Sequence, residues 1–221
     1  MTEVTVGNQI WAGENLAVTQ FQNGEDIPMV ENFVEWAKKS EKGLPCCAML
    51  NNKKSSSKFG LFYNGFCVDS PHELCPEGWR VPTVEDVLKL TAHLNQPSTR
   101  DDVAYYNGTV AQGIKGTKTW KKSFFGEPGD NTTGLNFLGG GSLTARDGLF
   151  VFDDKGFTAV HWLKDEHIAS PECNYFPPHP DDWPKERKHS FAIGTGGDHS
   201  LSINSSWLTS GFFVRPIKEE F

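Results

Sequence analysis

Seven histidines (72, 93, 161, 167, 179, 189 and 199) and five cysteines (46, 47, 67, 75 and 173) are the side chains of this 221-residue chain best suited to chemistry. A hydrolase needs a nucleophile with a base beside it. None of the histidines stands in a nucleophile-elbow or His-Glu-x-x-His context. No Cys-x-x-Cys pair exists, which argues against a zinc knuckle or a thioredoxin-like dithiol. The vicinal pair Cys46-Cys47 reads as core filler sooner than as a reactive couple. Cys67 and Cys75 could close a short loop, and the odd count leaves at least one thiol free or paired between molecules. Spacing alone cannot prove a bridge, and the cysteines are expected to be reduced or incidental. His161, His167 and His179 could collect a transition metal. The pairs Asp101-Asp102, Asp153-Asp154 and Asp181-Asp182 carry the oxygen ligands calcium wants, although acids on loops are mostly only solvated. The expectation is a non-catalytic protein with no cofactor, calcium being the one ion to consider.

Composition narrows the classes. Lys plus Arg number 21 and Asp plus Glu 28, a net charge of -7, and the longest basic clusters are Lys53-Lys54 and Lys121-Lys122. That balance excludes phosphate-backbone binding as the main task. No apolar run approaches the roughly 20 residues of a membrane helix, so no membrane insertion is expected. The opening Met-Thr-Glu-Val-Thr-Val has neither a basic start nor an apolar stretch and does not read as a signal peptide. With 22 glycines, 13 prolines and 12% aromatics, the chain predicts turns and loops pinned by large rings, in a single domain.

The stretch Cys75-Pro-Glu-Gly-Trp-Arg-Val-Pro-Thr83 is the strongest local instruction. Pro76 and Gly78 force a turn, Trp79 anchors it, and Thr83 with Asp86 is close to a capping box opening a helix. Val84, Val87, Leu88 and Thr91 form its stripe. An earlier helix is predicted over 30–39 from Val30, Phe33, Val34 and Ala37. Two short strands are expected over 4–20 around Gly13, a turn at Asn23-Gly24, and later strands over 150–152, 157–162, 190–193, 200–204 and 212–217. Trp120, Phe124 and Phe125 are expected anchors of the region 106–134. Gly139-Gly-Gly141 lacks the Gly-Lys-Ser/Thr ending of a phosphate loop and reads as a close-packed backbone turn. Residues 170–189, with five prolines, read as a surface loop and an insertion. Arg215 is expected to tie loop carbonyls together through its donors.

Taken in order, these stretches resemble the Fibrobacter succinogenes major paralogous domain (FISUMP) family. Thr5-Val-Gly-Asn-Gln-Ile-Trp-Ala-Gly-Glu-Asn-Leu16 resembles its opening block, and Cys75 to Thr83 its most specific signature. Asn23 to Pro28, Gly43 to Cys47, Gly60 to Asn64, Asn131 to Gly141 and Gly211 to Pro216 resemble its other blocks. The chain departs from the pattern at Leu163-Lys-Asp-Glu166 and in the proline-rich segment. The resemblance implies an α+β, C-type-lectin-like fold, with two helices, a small twisted antiparallel sheet and long ordered loops. That fold is shared with formylglycine-generating enzymes and with variable proteins diversified by retroelements. It also implies an extracellular or cell-surface location, or a place on a virus particle such as a phage. Cys46-Cys47 lies in the wrong region for the formylglycine-generating motif.

In the diversified relatives the variable positions fall between the Trp-containing strand and the final Val-Arg-Pro, here Trp162 to Val214. The implied ligand-binding residues are Lys164, Asp165, Glu166, His167, Asn174, Tyr175, Thr195, Asp198, His199, Ser202, Asn204, Ser206, Trp207 and Thr209, with Trp183 among them. Polar groups interleaved with rings make an adaptable recognition surface. The expected partner is a protein or glycan on a cell surface. The alternative is a structural module of a larger surface or phage assembly, which a large apolar patch around Trp183 and Trp207 would favour.

Overall fold

A computed structural model of the chain describes residues 1–50, 54–94, 105–106, 109–122, 128–146, 149–165, 187–194 and 201–218. In chain order it holds β1 (Glu3–Val6), β2 (Gln9–Ala12), α1 (Phe33–Glu41), β3 (Cys47–Met49), a 3-10 turn (Lys54–Phe59), β4 (Leu61–Asn64), α2 (Gly65–Asp69), β5 (Trp79–Arg80) and α3 (Val84–His93). Then come β6 (Tyr105–Tyr106), α4 (Thr109–Ile114), β7 (Ser142–Arg146), β8 (Leu149–Asp153), β9 (Thr158–Trp162), β10 (Arg187–Gly194), β11 (Leu201–Trp207), β12 (Gly211–Phe212) and β13 (Ile217–Lys218). The architecture is α+β, with few helices and antiparallel sheets.

The strands form three sheets, in the orders β1-β2-β13-β5, β3-β4-β12-β7-β8 and β6-β11-β10-β9. The first closes the chain on itself, because Ile217 pairs with Trp11 on one side and Arg80 on the other. The first hairpin turns at Gly7, whose φ is +62°, and not around Gly13. A left-handed backbone is what glycine supplies at no steric cost, and it fits between paired Val6 and Gln9. The turn at Asn23-Gly24 forms as expected, with the Gly24 N–H donating to the Phe21 carbonyl at 3.0 Å.

Helix α3 carries the predicted cap. Thr83 Oγ1 accepts from the Asp86 N–H, while Asp86 Oδ2 accepts from the Thr83 N–H at 2.7 Å. Arg80 donates to both oxygens of Asp86, at 2.6 and 3.0 Å. The stripe is shifted from the sequence reading: Leu88 is 37% exposed, and Val87, Leu90 and Thr91 face inwards. In α1 the correction is larger. The helix begins after Asn32, whose side chain accepts from the Glu35 N–H. Val34 is 62% exposed and Val30 precedes the helix, whereas Trp36 is wholly buried and donates to the Thr209 carbonyl at 2.9 Å.

Gly139–Gly141 is a close-packed turn. A Cβ on Gly139 would lie 3.0 Å from the Trp120 ring, and one on Gly140 would lie 2.5 Å from the Phe213 ring. Gly141, at φ +77°, would meet the Asp153 carbonyl. Trp120 is buried as expected and donates to the Phe137 carbonyl, while Phe124 and Phe125 lie outside the described residues. Residues 170–186 of the expected proline-rich loop are likewise outside them, and Arg187–His189 already belong to β10. No described helix is long and apolar enough to cross a membrane.

Candidate functional site

The sheet β6-β11-β10-β9 carries the described part of the predicted face. Seven register pairs join β10 to β11, from Arg187 with Trp207 to Ile193 with Leu201. Successive side chains of a strand point to opposite faces. On β11, Leu201 and Ile203 go inwards to a cluster with Ala159, Ile114 and Phe137, while Ser202 and Asn204 stand half-buried on the other face. Asn204 Nδ2 donates to Ser202 Oγ at 2.9 Å, two residues back along the same face. That bond occupies one amide donor and leaves the Asn204 oxygen and the Ser202 hydroxyl proton uncommitted to it. Ala192 and Ser190 are the register partners of Ser202 and Asn204 on β10, and Tyr105 of Ser202 on β6. On β9, Ala159, His161 and Trp162 are all wholly buried, so both faces of that strand meet protein.

The remaining candidates separate. Ser206 and Thr209 are buried, so their side chains lie behind the surface and not on it; the Thr209 carbonyl accepts from the Trp36 indole. Lys164 and Asp165 are held by the Cys75–Thr83 stretch and its neighbours. The Lys164 N–H donates to the Pro82 carbonyl at 2.8 Å and its Nζ to the Val68 carbonyl at 3.1 Å, with Glu73 3.8 Å away. Asp165 Oδ2 accepts from the Val84 N–H, placing a carboxylate at the first turn of α3, where the helix dipole favours one. Trp207 is half-buried at the end of β11. Glu166, His167, Asn174, Tyr175, Trp183, Thr195, Asp198 and His199 lie outside the described residues.

The register also sets where the connecting segments attach. Arg187 and Trp207 mark one end of the β10–β11 pair and Ile193 with Leu201 the other, while Trp162 pairs with Ser190, level with Asn204. A seven-residue strand at about 3.3 Å per residue puts these ends about 20 Å apart. Trp207 therefore stands at one end, and Gly194 and Leu201 at the opposite one.

Behind the sheet lies a buried polar cluster. Arg215 donates from Nε to Asn15 Oδ1 at 2.9 Å and from Nη1 to the carbonyls of Ala12 and Leu135, both at 3.0 Å. Its guanidinium lies 4.4 Å from the Phe137 ring centroid. The structure thus gives Arg215 the tying role expected of it. His161 Nε2 lies 3.2 Å from the same Asn15 Oδ1. Asn15 Nδ2 donates to the Phe59 carbonyl, so Oδ1 is the acceptor and His161 carries its proton on Nε2. Burial, and the Arg215 charge beside it, hold the imidazole well below its usual pKa. His161 is therefore a neutral core side chain; His167 and His179 are outside the described residues.

The cysteines make a buried group of their own. Cys46, Cys47, Cys67 and Cys75 are free thiols, and Cys173 lies outside the described residues. Cys67 Sγ donates to Asn64 Oδ1, and Cys46 Sγ accepts from Asn64 Nδ2, both at 3.3 Å. Burial pushes the Cys47 and Cys75 thiols up to about 12, and raises those of Cys46 and Cys67 well above the usual thiol value. Such thiols stay protonated at neutral pH and are poor nucleophiles. Of the acid pairs, Asp153-Asp154 closes β8, while Asp101-Asp102 and Asp181-Asp182 are outside the described residues. No group of three metal-ligating side chains occurs among the described residues.

The Fibrobacter succinogenes major domain matches residues 4–193 of this chain. The chain belongs to that family. The family match takes in the Cys75–Thr83 signature and the strands up to β10; Gly211–Pro216, which resembles the family's closing block, lies beyond the matched residues. No curated protein and no solved structure matches the chain.

Proposed function

We propose that this member of the Fibrobacter succinogenes major domain family is a non-catalytic recognition domain with a C-type-lectin-like fold. It binds a protein or glycan at a cell surface through its C-terminal strands and the segments joined to them. The single observation that carries the reading is the two-sidedness of β11. Leu201 and Ile203 bind the strand to the core, while Ser202 and Asn204, joined by a side-chain hydrogen bond, stand half-buried on the other face. Hydrogen-bonding groups fixed on a rigid strand lose little freedom on binding, which suits selective contact with hydroxyl-rich or peptide ligands. The scarcity of helices and the closure of β2 on β13 fit the lectin-like reading.

The test is a glycan-array and whole-cell binding screen with the full chain and with the double variant Ser202→Ala, Asn204→Ala. Removing two hydrogen-bonding side chains should weaken binding about tenfold or more at an unchanged circular dichroism spectrum. Binding that the double variant retains in full would remove this face from the account.

A further inference from the structure

Three lysines from three separate segments meet around two phenylalanine rings. Lys58 ends the 3-10 turn, Lys121 follows Trp120, and Lys155 sits in the turn between β8 and β9. The Lys58 and Lys155 ammonium groups both lie over the Phe59 ring, 5.3 and 5.4 Å from its centroid, and Lys121 lies 5.0 Å from that of Phe157. The segments are joined by the Lys121 N–H, which donates to the Gly156 carbonyl at 2.8 Å, beside Lys155. A Cβ on Gly156 would fall 2.8 Å from Lys121 Cγ, so the Lys121 stem lies directly against Gly156.

All three side chains are exposed, and none makes an ion pair with a described carboxylate. A ring face attracts an ammonium but does not neutralise it. The nearest acids in sequence are Asp153 and Asp154, on the same turn as Lys155. On a chain of net charge -7, a local set of ring-supported cations runs against the overall field.

We propose that Lys58, Lys121 and Lys155 form a second binding surface, for an anionic polysaccharide carrying carboxylate or sulfate groups. The ammonium groups take the anions. The half-buried Phe157 offers a ring edge beside them to the C–H face of a sugar. Three ammonium groups are too few for a nucleic acid, whose affinity rests on long tracks of phosphate contacts. This surface is independent of Ser202 and Asn204.

The experiment uses the full chain on immobilised dextran sulfate and polygalacturonate, with unmodified dextran as the uncharged probe. Lys58→Gln, Lys121→Gln, Lys155→Gln is compared with an equal charge change elsewhere, Lys38→Gln, Lys42→Gln, Lys89→Gln. The first triple should bind about tenfold more weakly, with a salt slope smaller by about two to three, and the second should stay within about twofold of the parent. Lys→Arg at the same three sites should keep binding, and so should Ser202→Ala, Asn204→Ala, which separates this surface from the strand face. Three results would overturn the proposal. They are no retention of the parent on either anionic glycan, equal losses in both Gln triples, and retention by poly-glutamate or single-stranded DNA as strong as by the glycans.

Discussion

Arg215 and Asn15 are 200 positions apart in the chain and 2.9 Å apart in the fold, joined by an Nε–H to Oδ1 hydrogen bond deep in the core. The same Asn15 oxygen accepts from His161. One amide thus pins the segment after β12 to the segment after β2 and to strand β9. Removing it leaves two buried donors without their acceptor. Asn15→Ala should cost about 2–4 kcal/mol, read from the urea midpoint at an unchanged m value. A cost under about 1 kcal/mol would show that the cluster relaxes freely.

His161 makes stability fall on the acid side. Its folded pKa is depressed, so the folded chain resists a proton that the unfolded chain takes up near pH 6.5. The stabilisation is complete above that pH and is lost as pH falls towards the folded pKa, by up to about 1.4 kcal/mol per pH unit. Urea unfolding at pH 7.5 and 5.5 should show the drop, and His161→Gln, which keeps a donor for Asn15, should flatten it.

The α3 cap gives a smaller effect. Thr83→Ala removes the acceptor for the Asp86 N–H but leaves the Arg80–Asp86 pair. The expected loss is about 1 kcal/mol, or about 2–4 °C in Tm for a chain of this size.

Two glycines should answer very differently to alanine. Gly24 sits at φ +86° with nothing within 4 Å of an added Cβ, so Gly24→Ala should cost about 1 kcal/mol of backbone strain alone. Gly140→Ala drives a methyl into Phe213, 2.5 Å away, and should cost more than about 2 kcal/mol. Thermal melts of the pair compare conformational strain with steric overlap in one protein.

Local instructions were legible in the sequence, and long-range ones were not. The Thr83–Asp86 box, the Asn23-Gly24 turn and the glycine triplet are decided by neighbours within a few residues, and each formed as read. The helix stripes slipped because a periodic pattern fixes spacing but not phase. Trp36, at the centre of α1, is wholly buried, whereas Val34, on the predicted stripe, faces solvent. The site was harder. Ser206 and Thr209 look like surface residues by type, yet small hydroxyl side chains can be buried once hydrogen-bonded locally. Lys164 and Asp165 are committed to Val68 and Val84, about 80 to 100 positions away, a pairing no local pattern carries. The two-sidedness of β11 was present in the alternation of Leu201, Ser202, Ile203 and Asn204.

Recognition through the outer face of β11 is tested most directly by the dissociation constant of the full chain for whichever array glycan or cell surface it binds, set beside that of Ser202→Ala, Asn204→Ala. The account predicts saturable binding that weakens about tenfold or more in the double variant, at a Tm within about 2 °C of the parent. Saturable binding unchanged by the double variant, or no binding of the parent to any glycan or cell, would contradict it.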